Sequence, residues 1–316
     1  MKNVTCYGTG VIGTAWGAVF LRGGCNVTFY DIDQEKLDAT KASLDGILAF
    51  FRAQGLMSAE ECSEALTRAN YTTDVAEAVG KAEFIQENCP ENVALKRKVL
   101  ALIEEHCSPD AIIASSTSGL LISDIAAEAV HPERVIGGHP YNPVYVMPLV
   151  EISKSDVTSD EVVAKAKAFY TAVGKEPVVL NKECLGFICN RIQVAVAREA
   201  YDLVNRGVCS VEDVDKAIVY GVGLRWAILG PHLVMHLGGG AGGFRAHNEH
   251  IGPTTVAWLE DMAKWTSVPE GYVDLAVKGI DEEMANREPG KGQTMAELGS
   301  YLNGGVLEIL KYHGKI

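Results

Sequence analysis

Short runs of apolar, β-branched and aromatic residues recur along the first 180 residues, separated by stretches in which apolar residues return every three or four positions. The runs that predict strands are 4–7, 27–30, 84–86, 112–115, 135–138 and 178–180. The stretches that predict helices are 34–54, 58–68, 93–107 and 160–173. Strands that alternate with helices form mostly parallel sheets covered by helices. The pattern therefore predicts a doubly wound α/β domain of the Rossmann type over residues 1–183.

Helical periodicity occurs twice in succession between residues 32 and 73, which we interpret as a helical hairpin inserted in the first half of the sheet. After residue 183 the strand signal ends. The expected helices are then 186–206, 211–220, 254–265, 270–287 and 295–312. The pattern thus predicts an all-helical C-terminal domain over residues 184–316. Its first helix is apolar on nearly every side, so we expect it to be buried in a core or an interface.

A glycine-rich turn joins the first predicted strand to an apolar helical stretch. Its residues are Gly8, Thr9, Gly10, Val11, Ile12 and Gly13, in the G-x-G-x-x-G pattern of dinucleotide sites. The first glycine permits the tight turn, the second lets a pyrophosphate approach the backbone, and the third lets the helix pack close to the strand. The N-terminus of the helix offers free N–H groups to the phosphates. We therefore predict a dinucleotide cofactor at this turn.

Asp31, directly after the second predicted strand, indicates which dinucleotide binds. A carboxylate at this position accepts a hydrogen bond from the ribose 2′-hydroxyl and repels a 2′-phosphate. The next residues are Ile32, Asp33 and Gln34, without an arginine to hold such a phosphate. NAD is therefore favoured over NADP. The alternative role for Asp31 is a helix N-cap, which Asp33 can serve equally well.

Charge and cysteine usage restrict the partners and the compartment. The net charge is −13 and there is no basic run, so we expect neither nucleic acid nor an anionic membrane as a partner. We also find no stretch of 18 apolar residues that predicts a membrane span. Eight cysteines are scattered without a C-x-x-C pair, which is typical of reduced thiols in the cytoplasm. We therefore expect a cytoplasmic protein.

His139 lies in a loop fixed by two prolines, directly after a predicted strand. Histidine is the usual base for oxidation of an alcohol, because its pKa lies near the working pH. Twelve residues later, in a strand-like run, Glu151 offers a carboxylate that can orient the ring and stabilise the imidazolium. Ser118 and Asn190 are candidates to hydrogen-bond the substrate oxygen. By spacing alone, a structural histidine and a surface glutamate remain open alternatives.

Two histidine pairs raise the question of a metal site. His232 and His236 are four residues apart, and His247 and His250 are three apart, so either pair can share a helix face. No carboxylate–histidine motif such as H-E-x-x-H accompanies them. We therefore expect no metal.

Five ordered motifs together resemble the 3-hydroxyacyl-CoA dehydrogenase superfamily. They are the glycine turn, Ser-Ser-Thr-Ser at 115–118, His-Pro-Tyr-Asn-Pro at 139–143, Pro-Leu-Val-Glu at 148–151 and Gly-Phe-Ile-Cys-Asn-Arg at 186–191. The resemblance implies that His139 is the general acid/base and that Glu151 is its orienting partner. It implies in addition that Ser118 and Asn190 contact the substrate oxygen.

The same resemblance implies further features of the cofactor site and of the assembly. Glu87, with its neighbour Gln86, and Asn142 are expected near the nicotinamide end of the cofactor. Family members usually carry asparagine where this chain has Ser116, which leaves the role of that position open. Family members are generally dimers, so the resemblance also implies a homodimer through the helical domain.

The versions of these motifs resemble the branch of the superfamily that acts on small free 3-hydroxy acids such as carnitine and gulonate. The predicted hairpin, residues 32–73, carries four basic and seven acidic residues, and a net charge of −3 suits a triphosphorylated CoA ester poorly. The resemblance thus implies NAD-dependent oxidation of a small L-3-hydroxy acid, most closely of the carnitine type. The alternatives are a short-chain 3-hydroxyacyl-CoA dehydrogenase, a gulonate 3-dehydrogenase and a crystallin-like structural protein.

A substrate with a quaternary ammonium group has no hydrogen to donate and binds against aromatic faces. Tyr141, Trp226 and Phe244 are candidates for that contact. Arg245 is a candidate partner of a substrate carboxylate. Ordinary packing and structural ion pairs remain the alternatives at these positions.

Overall fold

The computed structural model describes all 316 residues, which divide into two compact units, Met1–Arg191 and Ile192–Ile316. The first unit is built on one sheet of eight strands. These are β1 (Asn3–Tyr7), β2 (Asn26–Tyr30), β3 (Ala69–Thr72), β4 (Phe84–Glu87), β5 (Ile112–Ser115), β6 (Val135–Pro140), β7 (Leu149–Ser153) and β8 (Glu176–Val179). Their order is β3-β2-β1-β4-β5-β6-β7-β8, and all neighbours are parallel except β6 and β7. The predicted mostly parallel sheet is confirmed.

Seven helices connect these strands. They are α1 (Val11–Arg22), α2 (Gln34–Ala53), α3 (Ala59–Thr67), α4 (Val75–Val79), α5 (Val93–His106), α6 (Ile122–Ile125) and α7 (Asp160–Ala172), with a 3₁₀ turn at Pro132–Arg134. The predicted helical hairpin is α2 and α3, inserted between β2 and β3. Its helices begin at the side-chain caps Asp33 and Ser58, and Ser58 forms a reciprocal capping box with Glu61.

The hydrophobic core lies on both faces of the sheet. Phe29 and Phe84 join a buried cluster with residues of α1 and α2, whereas the next residues, Tyr30 and Ile85, join a cluster on the opposite face. Successive side chains of a strand point to opposite faces, so a sheet covered on both sides needs apolar residues at every position. This explains why the central strands occur as continuous apolar runs.

The edges of the sheet differ from the predicted strands. β3 is absent from the predicted set, because it is a short edge strand in which only Thr72 is buried. β8, at the other edge, begins at Glu176, whereas the prediction began at 178, and it contains Pro177. Proline weakens a strand signal, but an edge strand tolerates it because one side of the strand has no ladder to join.

The second unit contains helices only, as predicted. The helices are α8 (Cys189–Asn205, which starts within the first unit), α9 (Val211–Ala217), α10 (Gly223–Ile228), α11 (Pro231–Gly238), α12 (Gly243–Asp261), α13 (Tyr272–Asn286) and α14 (Met295–Tyr312), with a π-helical turn at Ile218–Val222 and a 3₁₀ turn at Gly240–Gly242. None of the helices is by itself long and apolar enough to cross a membrane. The bent pair Val211–Ile228 and Pro231–Gly238 meets that criterion jointly, by length and composition only.

Two predictions for the helical part were wrong in detail. α12 begins at Gly243 rather than at 254, because Pro253, which usually marks a helix boundary, is accommodated inside this helix. The helix predicted at 186–206 is not buried in the core of this chain, since α8 buries only Ala200 and Val204 and leaves Ile192 and Val194 exposed. Its burial in an interface between chains stays a prediction.

The turn between β1 and α1 depends on two glycines. Gly8 has φ of +89°, in the left-handed region that favours glycine, and its N–H donates to the carbonyl oxygen of Tyr30 at 2.8 Å. A Cβ on Gly13 would lie 1.9 Å from the carbonyl oxygen of Gly8. Helix α1 therefore packs against the turn only because residue 13 has no side chain.

Lys175, between α7 and β8, is a buried lysine without a carboxylate partner. Its ammonium group donates to the carbonyl oxygens of Val144 and Met147 and lies 5.0 Å from the centroid of the Trp16 ring. Burial, with the nearby charge of Arg22, lowers the pKa of Lys175 to about 7. The side chain thus holds the loop after β6 against helix α1.

Replacement of Gly13 by alanine is expected to destabilise the protein, because the added carbon has no room unless the turn moves. We expect the free energy of unfolding to fall by about 1–3 kcal/mol, the usual cost of overpacking. Chemical denaturation followed by circular dichroism measures this loss. Gly46→Ala in α2 is the matched control, since a Cβ there meets no atom within 4 Å and alanine favours the helix. Equal losses in the two variants would contradict the packing argument.

Lys175→Met should change stability in a way that depends on pH. The folded-state pKa of Lys175 lies below its ordinary value of 10.5, so the unfolded chain binds more protons between the two values. The contribution of Lys175 to stability therefore rises as the pH increases from about 7 to about 10.5, and it is lowest at about pH 7 and below. The destabilisation caused by Lys175→Met should be larger at about pH 9.5 than at about pH 6.5, by at least ~1.4 kcal/mol, the equivalent of one pKa unit.

Urea denaturation at the two pH values measures this difference. The exposed Lys167 of α7 is the control position, and Lys167→Met should show no comparable dependence on pH. A loss of stability in Lys175→Met that is the same at both pH values would show that Lys175 does not titrate as described.

Candidate active site

His139 and Glu151 form a buried pair across the antiparallel junction of the sheet. They lie opposite each other in the register of β6 and β7, and His139 Nδ1 lies 2.8 Å from Glu151 Oε2. Their exposed fractions are 5% and 0%. Because a carboxylate accepts but does not donate, this contact assigns the proton of the neutral imidazole to Nδ1. The other nitrogen, Nε2, is therefore free to accept a proton from a ligand.

The second oxygen of Glu151 accepts hydrogen bonds from the backbone N–H groups at the start of α8. Oε1 accepts from the backbone N–H groups of Ile188 and Cys189, each at 2.9 Å, at the helix end that favours negative charge. Burial raises the pKa of Glu151, but the hydrogen bonds from His139, Cys189 and Ile188 lower it by more, so its net pKa lies below the usual value. The carboxylate is thus ionised at neutral pH and stabilises an imidazolium beside it.

Ser118, Asn190 and Tyr141 are held together next to this pair. Asn190 Nδ2 donates to the carbonyl oxygen of Ser118 at 2.7 Å, and Asn190 Oδ1 accepts from the Tyr141 hydroxyl at 3.1 Å. The ring centroids of Tyr141 and His139 are 5.7 Å apart. The fold thus gathers the sequence-predicted residues His139, Glu151, Ser118, Asn190 and Tyr141 into one group in the first unit.

Aromatic rings border His139 on two sides. Phe187 is 2% exposed, its ring centroid lies 5.5 Å from that of His139, and its φ of +52° is uncommon for a residue other than glycine. Burial raises the pKa of Tyr141 to about 12, so the phenol stays neutral near pH 7 and does not compete with His139 as a base. Sequence reasoning missed Phe187, whose only signal was its place in the motif at 186–191.

Glu91 fixes the segment that carries Ser118. Its Oε1 accepts from the Thr117 hydroxyl at 2.6 Å and from the Ser118 N–H at 2.8 Å, and its Oε2 lies 3.9 Å from Lys96 Nζ. Sequence reasoning also missed this residue. Glu91 lies in the loop after β4, and its sequence position does not distinguish it from an ordinary surface glutamate. Its role becomes visible only in the fold, which places the end of β5 beside it.

Ser116, whose role the sequence left open, belongs to a hydrogen-bond network beneath the site. Gln86 Nε2 donates to Ser116 Oγ at 2.8 Å and to the carbonyl oxygen of Gly138 at 3.1 Å, and Tyr170 donates to Gln86 Oε1 at 2.7 Å. Ser116 in turn donates to Asn88 Oδ1 at 2.8 Å. The network connects β4, β5 and β6 at the residue that precedes His139.

The glycine turn leaves open space at the N-terminus of α1. A Cβ on Gly10 meets no atom within 4 Å, the helix has no side-chain cap, and Val11 is 82% exposed. Ile12, in contrast, packs against the core and anchors the first turn. The first N–H groups of the helix therefore remain available to an anion. This turn fits the pyrophosphate of a dinucleotide, as the sequence predicts.

Asp31 is held at the end of β2 by the same turn. Its Oδ2 accepts from the N–H and the hydroxyl of Thr9 at 3.0 and 3.2 Å, and its Oδ1 accepts from the N–H of Ile32 at 2.9 Å. Asp33, not Asp31, caps helix α2. The carboxylate of Asp31 thus remains the candidate contact for the ribose 2′-hydroxyl.

Glu87 and Asn142 occupy different surroundings. The buried carboxylate of Glu87 accepts from Lys96, from the Ser115 hydroxyl and from the Cys89 N–H, so its oxygens already have partners in the protein. A contact of Glu87 with the cofactor stays a prediction. Asn142 lines a cavity of about 560 Å³ that is bordered by the glycine turn, by helix α2 and by the loop after β6.

The remaining predicted residues lie in the second unit. Trp226 belongs to α10, and Phe244 and Arg245 open α12. The Phe244 N–H donates to His236 Nδ1 at 3.1 Å, and its ring centroid lies 6.3 Å from that of His232. His, Cys, Asp and Glu side chains form no group of three or more that is arranged to hold a metal ion. Substrate contacts through Trp226, Phe244 and Arg245 stay predictions.

The arrangement in the first unit can remove a proton from a hydroxyl group. His139 Nε2 can accept that proton, and the ionised Glu151 can balance the positive charge that forms on the ring. Contacts of Ser118 and Asn190 with a substrate oxygen stay predictions. A dinucleotide at the glycine turn supplies the hydride acceptor that completes oxidation of an alcohol.

Known proteins resemble this chain in both of its parts. The model of the 3-hydroxyacyl-CoA dehydrogenase NAD binding domain matches residues 3–184, and that of the C-terminal domain matches residues 186–271. L-carnitine dehydrogenase of Bacillus cereus is 41% identical over 287 residues, which are 91% of this chain and 83% of that protein. A 3-hydroxyacyl-CoA dehydrogenase of Gibberella moniliformis is 37% identical over 267 residues, 84% of this chain and 81% of that protein.

A solved structure with the same fold is that of 5-formyl-3-hydroxy-2-methylpyridine 4-carboxylic acid 5-dehydrogenase, described as an NAD⁺ dependent dismutase. Its TM-score is 0.80 at 26% identity, and the match covers 99% of this chain and 97% of that one. The predicted two-part fold and the predicted NAD cofactor are confirmed. The chain is therefore an NAD-dependent dehydrogenase that belongs to the 3-hydroxyacyl-CoA dehydrogenase family.

Proposed function

We propose that this chain catalyses the NAD-dependent oxidation of L-carnitine, or of a small L-3-hydroxy acid close to it, to the 3-oxo acid. The observation that carries the proposal is the buried His139–Glu151 pair, a base held by an ionised carboxylate, in a chain 41% identical to an L-carnitine dehydrogenase over most of both proteins. A purely structural, crystallin-like protein has no need of such a pair, because burial of a charge is costly even when the charge is paired.

In this proposal His139 Nε2 accepts the proton of the substrate hydroxyl group, while a hydride leaves the carbon atom that bears this hydroxyl group. Glu151 keeps the proton on Nδ1 and stabilises the imidazolium by hydrogen bond and charge. Ser118 and Asn190 orient the substrate oxygen. The hydrogen bonds of Asn190 with the Ser118 carbonyl oxygen and with the Tyr141 hydroxyl fix the orientation of the Asn190 amide. NAD supplies the hydride acceptor when it is bound at the glycine turn.

Charge favours a free acid over a CoA ester as the substrate. The segment that contains α2 and α3, residues 32–73, has seven acidic and four basic residues, which disfavours a ligand with several phosphates. The ring centroid of Tyr141 lies 5.7 Å from that of His139, and we propose this ring as an aromatic contact for a quaternary ammonium group. We further propose Trp226 and Phe244 as additional faces and Arg245 as the partner of the substrate carboxylate.

A comparison of substrates tests this function. We expect kcat/KM for L-carnitine, followed by NADH absorbance, to exceed the values for L-gulonate, 3-hydroxybutyrate and 3-hydroxybutyryl-CoA by at least about tenfold, a difference of ~1.4 kcal/mol in transition-state stabilisation. The relative from Gibberella moniliformis makes the CoA ester the main competitor. A larger kcat/KM for 3-hydroxybutyryl-CoA would contradict the proposal and favour that second function.

His139→Ala is the control variant for the same assay. Loss of the base should lower kcat by roughly 10²–10⁴-fold, the usual contribution of general acid–base catalysis. The affinity for NADH, measured by fluorescence titration, should remain nearly unchanged because the glycine turn is intact. Turnover equal to that of the unmodified protein would exclude His139 from the reaction.

We also propose that the protein is a cytoplasmic homodimer associated through its helical unit. Helix α8 exposes Ile192 and Val194, and α11 exposes Leu233 and Leu237 one turn apart, an apolar surface typical of an interface. The eight cysteines are free thiols, which supports a location in the cytoplasm.

Light scattering should give a mass of about twice 33.9 kDa, and recovery of the protein in the cytosolic fraction would agree with the proposed compartment. A mass of one chain would contradict the dimer.

A further inference from the structure

Lys36 occupies a position that local helix energetics disfavour. It lies in the first turn of α2, where the partial positive charge of the helix end repels a cation. The cap of this helix is Asp33, whose carboxylate accepts from the Glu35 N–H. The ammonium nitrogen of Lys36 instead lies 3.5 Å from Asp31 Oδ1. The charged partner of Lys36 is thus Asp31, the candidate contact for the cofactor ribose.

The two partners differ in mobility and access. The side chain of Asp31 is 8% exposed and is fixed by Thr9 and Ile32, whereas the side chain of Lys36 is 58% exposed. Lys36 also lines the cavity next to Thr9 and Gly10 of the glycine turn. The carboxylate therefore has one position, while the ammonium group can move a short distance toward a bound ligand.

The chemistry at this end of the site depends on the ribose 2′ position. A carboxylate after the second strand accepts from a 2′-hydroxyl, whereas a 2′-phosphate needs a cation close by. This chain carries both groups within 3.5 Å of each other. We propose that Lys36 is a coenzyme-selectivity residue: it faces the ribose 2′ position and holds a 2′-phosphate once the charge of Asp31 is removed. Asp31 alone then keeps the preference for NAD over NADP.

The consequences for binding follow from charge. A 2′-phosphate beside the fixed Asp31 carboxylate is repelled, and Lys36 offsets part of that repulsion. Asp31→Asn removes the negative charge and retains the shape, so Lys36 loses its partner and is free to donate to the phosphate. Lys36→Met removes the cation from the same place. The inference concerns the cofactor and is independent of which 3-hydroxy acid the protein oxidises.

Equilibrium binding of NADH and NADPH to the full-length protein tests the proposal without any substrate. The two ligands differ only in the 2′-phosphate, and fluorescence titration gives Kd for each. The proteins compared are the unmodified chain, Asp31→Asn, Lys36→Met and the double variant. Lys41→Met is the matched control, because Lys41 lies on the same helix but is paired with Asp38 at 3.0 Å.

We expect Asp31→Asn to bind NADPH about 10- to 100-fold more tightly than the unmodified protein, the range of one charge-assisted hydrogen bond plus relieved repulsion. The double variant should lose most of that gain. Lys36→Met alone should weaken NADPH about threefold or more and change NADH by less than about twofold, since only the 2′-phosphate needs the cation. Lys41→Met should change neither affinity.

Two results would overturn the inference. If the double variant binds NADPH as tightly as Asp31→Asn, Lys36 does not hold the phosphate. If Lys36→Met weakens NADH and NADPH by the same factor, its role is only to fix Asp31. Circular dichroism and thermal denaturation of each variant verify that it is folded.

Discussion

The buried carboxylate of Glu151 joins three parts of the chain, and the site depends on it. One oxygen accepts from His139 on the neighbouring strand, and the other accepts from the N–H groups of Ile188 and Cys189 at the start of α8. A carboxylate with no exposed surface is tolerated only when its oxygens are satisfied, because an unpaired buried charge is very costly. The antiparallel register of β6 and β7 and the entry of the chain into α8 are therefore coupled to the position of the imidazole.

Three carboxylates at the same end of the sheet are stabilised in three different ways. Glu87 is paired with Lys96, while Glu151 accepts hydrogen bonds from a ring nitrogen of His139 and from the N–H groups at a helix terminus. Asp31 is held by Thr9 and approached by a largely exposed lysine, which leaves it open toward a ribose. The charged group is the same in each case, and the donors around it decide how many of its oxygens remain open to a ligand.

The position of the loop after β6 is fixed by side chains from other elements that bind its backbone carbonyl oxygens. Lys175 binds the carbonyl oxygens of Val144 and Met147, while the Gln86 side chain binds the carbonyl oxygen of Gly138 just before His139. These contacts fix both ends of the segment that carries the base and borders the cavity next to α2. A rigid support of this kind keeps the imidazole of His139 oriented, as the proposed catalytic role requires.

The sequence by itself determined the features that depend on neighbouring residues. The glycine turn, the buried parallel strands and the helical hairpin have local signals, because turn geometry and burial on both faces restrict each residue type directly. Weak local signals failed at the short edge strand β3 and at α12, where Pro253 lies inside a helix. The resemblance already implied that His139 and Glu151 form a pair, but only the tertiary structure decided that Nδ1 is the ring atom that meets Glu151. It also decided that Phe187 borders the ring and that Lys36 approaches Asp31. Such pairs depend on strand register and on the path of the chain between distant residues, which no local pattern contains.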